Sequence, residues 1–402
     1  MRRIIFAWNY TQWGGAQIYF LALIKEARKH FEPIVVLPQN TDPQFISFLR
    51  SENIRYEEFS GSVDLVPKSG TLEKMGRHLT RVKSEYAMLK KIREIGLEET
   101  LVHTDISPGQ SLFSLIWLSL RTHVFITHHN AQPAVPSWRR AIWKVKYGII
   151  SQFKTFHAFA ANQHAAKYYR RLYQKRTADK LIVTYASIDP VEIDDAISQE
   201  FKKNAVREKF GVYTPFVILT VGQFVDRKGR WILLDAARRL REKRNDITFV
   251  WVSPTELTTD EAKRVAEYGL GDSFKLIKSA DIGDHKAVLG FFRVADAFVL
   301  PSYIEGLPIA LLEAMAIGIP SISTNINGIP EAIIHEQTGL LIEPGDSAAL
   351  ERSIFRLLSE PDLRNDLIRE GKQHVRTTFN ERTMAKRAVN EYVAAAASLS
   401  KN

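Results

Sequence analysis

Cysteine is absent from the 402 residues, which excludes disulfides, thiolate zinc sites and cysteine nucleophiles. No apolar run approaches the roughly 18 residues of a membrane-spanning helix. The longest, Leu112 to Leu120, is short and interrupted by Ser114 and Ser119. Nor does the amino terminus read as an export signal. Arg2 and Arg3 precede only Ile4 to Ala7 before Asn9, Tyr10 and Gln12 intervene, where an apolar core of about 7–15 residues is needed. The expectation is a cytoplasmic protein, held at most peripherally at the inner face of the plasma membrane. Gly-x-Gly-x-x-Gly is missing too, which argues against a tandem dinucleotide-binding oxidoreductase. No zinc-finger or RNP-type pattern occurs, so nucleic acid is not an expected partner. Carboxylates are scarce in the first half. Residues 1–189 hold 27 Lys/Arg against 15 Asp/Glu, a net of +12, whereas the remainder holds 28 against 30, a net of −2. The basic lobe suits an anionic partner.

What is present is ordinary for a globular chain: 45% apolar and 25% charged residues. The length suggests two domains. Short β-rich runs (Ile4–Ala7, Pro33–Leu37, Leu101–Thr104, Val124–His128, Leu181–Tyr185) alternate with helical periods such as Ala16–Lys29 and Glu73–Ile95, the βαβ pattern of a parallel sheet. The alternation breaks at Ala186–Gln199 and resumes at Phe216–Val221. This predicts an α/β chain of two doubly wound domains, residues 1–189 and 190–380, followed by an Ala-rich helix within 381–402. Doubly wound domains bind ligands outside the carboxyl ends of their strands, so facing carboxyl edges would make the site a central cleft.

The most informative stretch is Leu300 to Gly318, LPSYIEGLPIALLEAMAIG. A strand ends at Leu300 and a loop carries Glu305 and Gly306. Pro308 suits a first helical turn, where a missing N–H is harmless, and Gly318 closes the helix. The N–H groups around Gly306, Leu307, Pro308 and Ile309 then offer an anion site favoured by the helix dipole. Glu305 sits beside it, and Glu313 lies roughly 8 Å along the helix. One carboxylate can reach a sugar and the other a ribose, with a diphosphate between them. Taken alone, two such Glu are more simply solvated or capping carboxylates.

Glu305 and Glu313, flanked by Glu-Gly-Leu-Pro and Glu-Ala-Met-Ala, resemble the E-x7-E motif of glycosyltransferase family 4. These are retaining, nucleotide-sugar-dependent enzymes with the GT-B fold. The stretches NINGIPE (325–331) and TGLLIEPGD (338–346) resemble the family as well. The resemblance implies a GT-B fold of two Rossmann-like domains. Glu305 would hold the donor sugar near its 3- and 4-hydroxyls and Glu313 the ribose. VGQFVDRKG (221–229) is similar to the family's diphosphate-binding loop, with Lys228 in the place of its Lys. Gln223 stands where the family has Arg. It cannot make a charge-assisted contact, and Arg227 is the candidate to replace it.

In Trp13-Gly14-Gly15-Ala16 the paired Gly let the backbone approach a phosphate or sugar, unless they form only a tight turn. Within Thr127-His128-His129-Asn130, His129 is the better match to a donor-sugar histidine and His128 the alternative; a satisfied structural histidine is the competing reading. His103 and Asp105 are weaker candidates. The base-contacting loop is placed near Ile277 and Lys278. The resemblance implies no bound metal and no cofactor beyond the nucleoside diphosphate sugar as co-substrate. The product would be a transferred hexose on a glycan or lipid-linked acceptor held by the first domain, in cell-surface polysaccharide synthesis. A non-catalytic nucleotide-sugar or glycan-binding protein on the same fold is the alternative, with Gln223 as its support.

A basic, aromatic segment, SWRRAIWKVKYGII (137–150), is the candidate acceptor or membrane side, through Trp138, Arg139, Arg140, Trp143 and Lys144. Trp138, Ile142, Val145 and Ile149 share one helical face. An interfacial helix on an anionic membrane has this pattern, and so does a domain helix with snorkelling bases.

Overall fold

The computed structural model describes residues 2–11, 15–61, 71–131 and 136–399. The chain forms two compact units. One combines residues 1–185 with 382–402, and the other is residues 186–381.

The first unit is built on seven parallel strands: β1 (Arg3–Ala7), β2 (Glu32–Pro38), β3 (Arg55–Phe59), β4 (Thr100–Thr104), β5 (Val124–His128), β6 (Phe156–Ala160) and β7 (Ile182–Val183). Their order is β3-β2-β1-β4-β5-β6-β7. β1, β4 and β5 are buried almost throughout, as expected of strands covered on both faces. One face packs under the helices Thr71–Ile95, Pro108–Ser119 and Ser137–Ile150 through Met88, Leu115 and Tyr147. The other packs under Gly15–Ala27 and the last helix, Glu381–Leu399, which contributes Ala388, Val389 and Tyr392. Tyr392 also reaches the sheet centre, where its hydroxyl lies 2.5 Å from Nδ1 of His103. Burial holds that histidine well below the usual imidazole range.

The second unit has six parallel strands: β8 (Phe216–Val221), β9 (Ile247–Ser253), β10 (Phe274–Lys278), β11 (Ala297–Leu300), β12 (Ser321–Thr324) and β13 (Leu340–Ile342). Their order is β10-β9-β8-β11-β12-β13. Both sheets share one logic. The chain runs outward from the first strand, returns, and continues on the other side. That leaves a crevice above the carboxyl ends of β1 and β4 in one unit and of β8 and β11 in the other. The segment 186–199, a break in the sequence pattern, carries a helix, Pro190–Ser198, started by Asp189 accepting from Val191 N–H at 2.9 Å. The pattern missed it because Pro190 opens the helix instead of interrupting it.

Candidate active site

In the second unit the chain leaves β8 through Gly222 and a short turn, Asp226–Lys228, ending at Gly229. Gly229 has φ 72°, and a Cβ there would stand 1.9 Å from the carbonyl oxygen of Pro301. Only glycine lets this turn lie against the end of β11, where Tyr303 N–H donates to the Arg227 carbonyl at 2.8 Å. The neighbouring Lys228 then extends its ammonium to 2.5 Å from Oε1 of Glu305. The Ser302 hydroxyl donates to the same oxygen at 2.9 Å. Both side chains of the ion pair are buried, at 12% and 8% exposure.

The loop that presents Glu305 is fixed from below. Thr324 donates to the Ser302 carbonyl at 2.7 Å, and Ser323 to that of Leu300 at 2.6 Å. Asn327 Nδ2 donates to the Glu305 carbonyl at 2.8 Å, and Gly328 N–H to that of Gly306 at 3.1 Å. The NINGIPE stretch thus braces the carboxylate loop. The helix that follows spans Ile309–Ile317, with Pro308 at the N-cap and no side-chain cap. Among the described residues nothing accepts from the N–H groups of Gly306, Leu307 or Ile309. They combine with the dipole into a site for negative charge. Leu307 and Ile309 bury their side chains, so what they offer there is main chain. Gly318 closes the helix at φ 101°.

Glu313, 7% exposed, has its own partner. Its Oε1 lies 2.9 Å from Nε2 of His285, whose Nδ1 is 3.2 Å from Oε1 of Glu192. Burial depresses the pKa of His285, but the charge of Glu313 and the hydrogen bonds with both carboxylates outweigh it and carry it up to about 10. An imidazolium therefore sits between two carboxylates, donating to each. Arg227 Nη2 donates to Oε1 of Gln223 at 3.0 Å, which places the guanidinium against the side chain that stands in the motif's Arg position. Ile277 is buried in β10, while Lys278 at that strand's end pairs with Glu256.

The first unit gathers a second group at its own carboxyl edge. Tyr10 follows β1, Asp105 follows β4 and His129 follows β5. The Tyr10 hydroxyl donates to Oδ2 of Asp105 at 2.5 Å; burial and the adjacent carboxylate push that phenol well above its usual range. Oδ1 of the same carboxylate lies 3.7 Å from Nε2 of His129, whose ring stands edge-on to Tyr19 at 5.3 Å. Asn162 Nδ2 donates to the His129 carbonyl at 2.9 Å. His128 is turned into the core, stacked on Tyr169 at 3.5 Å and 2.7 Å from the Tyr173 hydroxyl. Burial and neighbouring His129 lower its pKa to about 3. Of the two histidines, His129 is the one placed beside a carboxylate. Gly15 is the exposed first residue of its helix; Gly14 lies outside the described residues.

Trp143 does not stand where the sequence reading put it. It is 3% exposed, because the buried face of helix Ser137–Ile150 is Trp143, Tyr147 and Ile150. Its ring lies over Gly109, where a Cβ would come within 2.9 Å. It is core, whereas Trp138, Arg139, Arg140 and Lys144 are exposed. Two partners went unweighed in the sequence. Ser302 lies three residues before Glu305, inside the informative stretch. His285 is 28 residues before Glu313 and 93 after Glu192, separations that carry no local signal. Among the described residues no group of three His, Asp or Glu is spaced to hold a metal ion.

Residues 202–374 match the family model described as Glycosyl transferases group 1. The amylovoran biosynthesis glycosyltransferase AmsK of Erwinia amylovora is 28% identical over 211 residues, covering 51% of this chain and 48% of AmsK. The lipopolysaccharide core biosynthesis glycosyltransferase LpsD of Rhizobium meliloti is 30% identical over 170 residues, covering 42% of this chain and 47% of LpsD. The chain spans about half the length of these curated relatives. In three dimensions it is similar to the crystal structure of Anabaena HepE in complex with UDP and glucose, with a TM-score of 0.74 at 19% identity, over 98% of this chain and 100% of that one. The chain thus has the α/β GT-B fold, and its residues 202–374, which carry Lys228, Glu305 and Glu313, are similar to the glycosyl transferases of group 1.

Proposed function

We propose that the protein is a retaining glycosyltransferase that moves a hexose from a UDP- or GDP-linked donor to a glycan or lipid-linked acceptor, in the synthesis of a cell-surface polysaccharide. The observation that carries this reading is the buried Lys228–Glu305 pair, set at the crevice of the second sheet beside an uncapped helix N-terminus. Such a site supplies fixed positive charge for a diphosphate. The similarity to AmsK and LpsD supports the polysaccharide context, and the UDP and glucose held by HepE support the donor class.

In this mechanism the diphosphate rests on the amides of Gly306, Leu307 and Ile309 and on Lys228. Arg227, tethered to Gln223, supplies the second positive group. Glu305 orients the sugar hydroxyls and Glu313 the ribose. The bond from the anomeric carbon to the phosphate oxygen breaks as the acceptor oxygen bonds to the same face. The departing phosphate takes the acceptor proton, so no side chain acts as nucleophile. The ammonium and the helix dipole stabilise the leaving charge without a metal. The test is transfer from UDP- and GDP-hexoses to glycan and polyprenyl-linked acceptors, with the product's anomeric configuration read by NMR. The donor's configuration is expected in the product; an inverted linkage would exclude the retaining course.

A further inference from the structure

At the amino edge of the first sheet, opposite the carboxyl edge that carries Tyr10, Asp105 and His129, lies a cavity of about 230 Å³. His157, the second residue of β6, lines it, with Lys154 from the loop before that strand. Arg176 and Lys180 line it from the helix Lys175–Lys180, and Glu391 from the last helix. His123 and His129 stand at the two ends of β5. At about 3.3 Å per residue they are roughly 20 Å apart, so the cavity is remote from the carboxyl edge.

Three cations converge there. Arg176 and Lys180 are four residues apart, hence on one helical face, where like charges repel. Lys175, on another face, pairs with Asp179 at 2.9 Å. Neither Lys154 nor Lys180 has a carboxylate partner among the described residues. The Arg176 guanidinium is held by one nitrogen. Its Nη2 donates to the carbonyls of Ser151 and Phe153, and its other N–H groups have no partner among the described residues. Between Asp105 and Asp179 the chain has 11 Lys/Arg and not one Asp or Glu. The positive field registers on His157: burial first, then the charges of His123, Lys180 and Arg176, push its pKa down to about 3.

Two acceptors share the cavity with these bases. Glu391 has no hydrogen-bond or ion-pair partner among the described residues. The second acceptor follows from a chain of protons. The Ser398 hydroxyl donates to the Ala395 carbonyl at 2.6 Å, so it accepts from Nε2–H of His123 at 2.8 Å. Nδ1 of His123 then accepts from Nε2–H of His157, also at 2.8 Å. Nδ1 of His157 keeps a lone pair and has no partner among the described residues.

We propose that this cavity is a second binding site, for a phosphorylated sugar or polyol. Lys154, Arg176 and Lys180 take the phosphate by charge-assisted hydrogen bonds. Glu391 and Nδ1 of His157 accept from hydroxyls of the same ligand. A bare phosphate would leave both acceptors unused. The volume lies below the about 300–1,000 Å³ of pockets for drug-sized ligands, which suits one phosphorylated ring or a shorter chain. The site is independent of the sugar-transfer reading, since none of its residues belongs to the groups at the carboxyl edges of the two sheets.

The test is calorimetric titration of glucose 6-phosphate, glycerol 3-phosphate and inorganic phosphate into the full chain at low salt. At least one of the two phosphomonoesters should bind at one site per chain, more tightly than inorganic phosphate, and added salt should weaken it. Lys154→Glu and Lys180→Glu should each lower its affinity at least tenfold. Both positions are exposed, and matching thermal melting curves will show that the fold is intact. Lys228→Ala should leave the affinity unchanged, which separates this cavity from the diphosphate site of the second unit. Glu391→Ala should reduce the preference for the phosphomonoester over inorganic phosphate about tenfold. That ratio cancels the effect of the lost charge on the phosphate itself. Failure of both phosphomonoesters to bind would overturn the proposal. So would wild-type affinity in the two lysine variants, loss of binding in Lys228→Ala, or an unchanged preference in Glu391→Ala.

Discussion

The imidazole of His285 lies 2.9 Å from the carboxylate of Glu313 and holds it by one oxygen, Oε1. Glu192 anchors the other side of the ring at 3.2 Å. In the proposed mechanism this carboxylate grips a ribose diol, and without a hold it would rotate. Here a charge-assisted hydrogen bond fixes it.

Removing that hold should show in donor affinity. His285→Ala is expected to raise the donor KM about tenfold with a smaller effect on kcat, because a hydrogen bond to a charged group contributes about 1.5–3 kcal/mol. His285→Gln, which can still donate, should recover part of the loss. Titration adds a second signature. The folded-state pKa of about 10 lies above the ordinary imidazole value of 6.5, so the protonated form favours the folded arrangement. Its contribution is complete below about pH 6.5 and is lost as pH rises toward 10. The donor KM of the wild type should climb over that interval, and that of His285→Gln should not. Initial rates across pH check both.

Lys228 and Glu305 should be costly to change one at a time. Each single replacement, Lys228→Met or Glu305→Leu, leaves a buried charge and is expected to destabilise by about 3–5 kcal/mol. The double variant restores neutrality and should be more stable than either single one. All three should transfer sugar at least about a hundredfold more slowly. Urea unfolding beside transfer assays separates the two effects.

Two glycines should respond in opposite directions. Gly229→Ala forces a Cβ into the Pro301 carbonyl at a positive φ, and is expected to cost about 3 kcal/mol or more. Gly148→Ala, in the helix Ser137–Ile150 with nothing within 4 Å of the added carbon, should stabilise by about 0.5–1 kcal/mol. Denaturation midpoints decide both.

Chelator is expected to leave the transfer rate unchanged, since Lys228 and the helix N-terminus carry the leaving charge in the proposed mechanism. Loss of activity that added Mg²⁺ or Mn²⁺ restores would contradict the metal-free course.

Much of this arrangement was legible in the sequence because it is local. The strand-to-helix turn at 221–229 and the loop and helix at 300–318 each carry their own punctuation: Gly229, Pro308 and Gly318. Each lies just after a strand, where doubly wound sheets place ligands. What was not legible depends on side chains far apart in the chain. His285 reaches Glu313 across 28 residues, and Tyr10 reaches Asp105 across 95. Trp143 was misplaced for a related reason. Its helix is apolar on two faces, and periodicity alone does not say which face the sheet covers. The helix at 190–198 was hidden because a proline at a first turn looks the same in sequence as a proline in a linker.

The central claim is that the second unit binds a nucleoside diphosphate on the Gly306–Ile309 amides and Lys228. Calorimetric titration of UDP and GDP into the wild type and Lys228→Ala tests it most directly. The account predicts one site per chain for at least one of the two nucleotides, with affinity reduced tenfold or more in a variant that circular dichroism shows to be folded. Absence of binding by both nucleotides, or equal affinity in the folded variant, would contradict it.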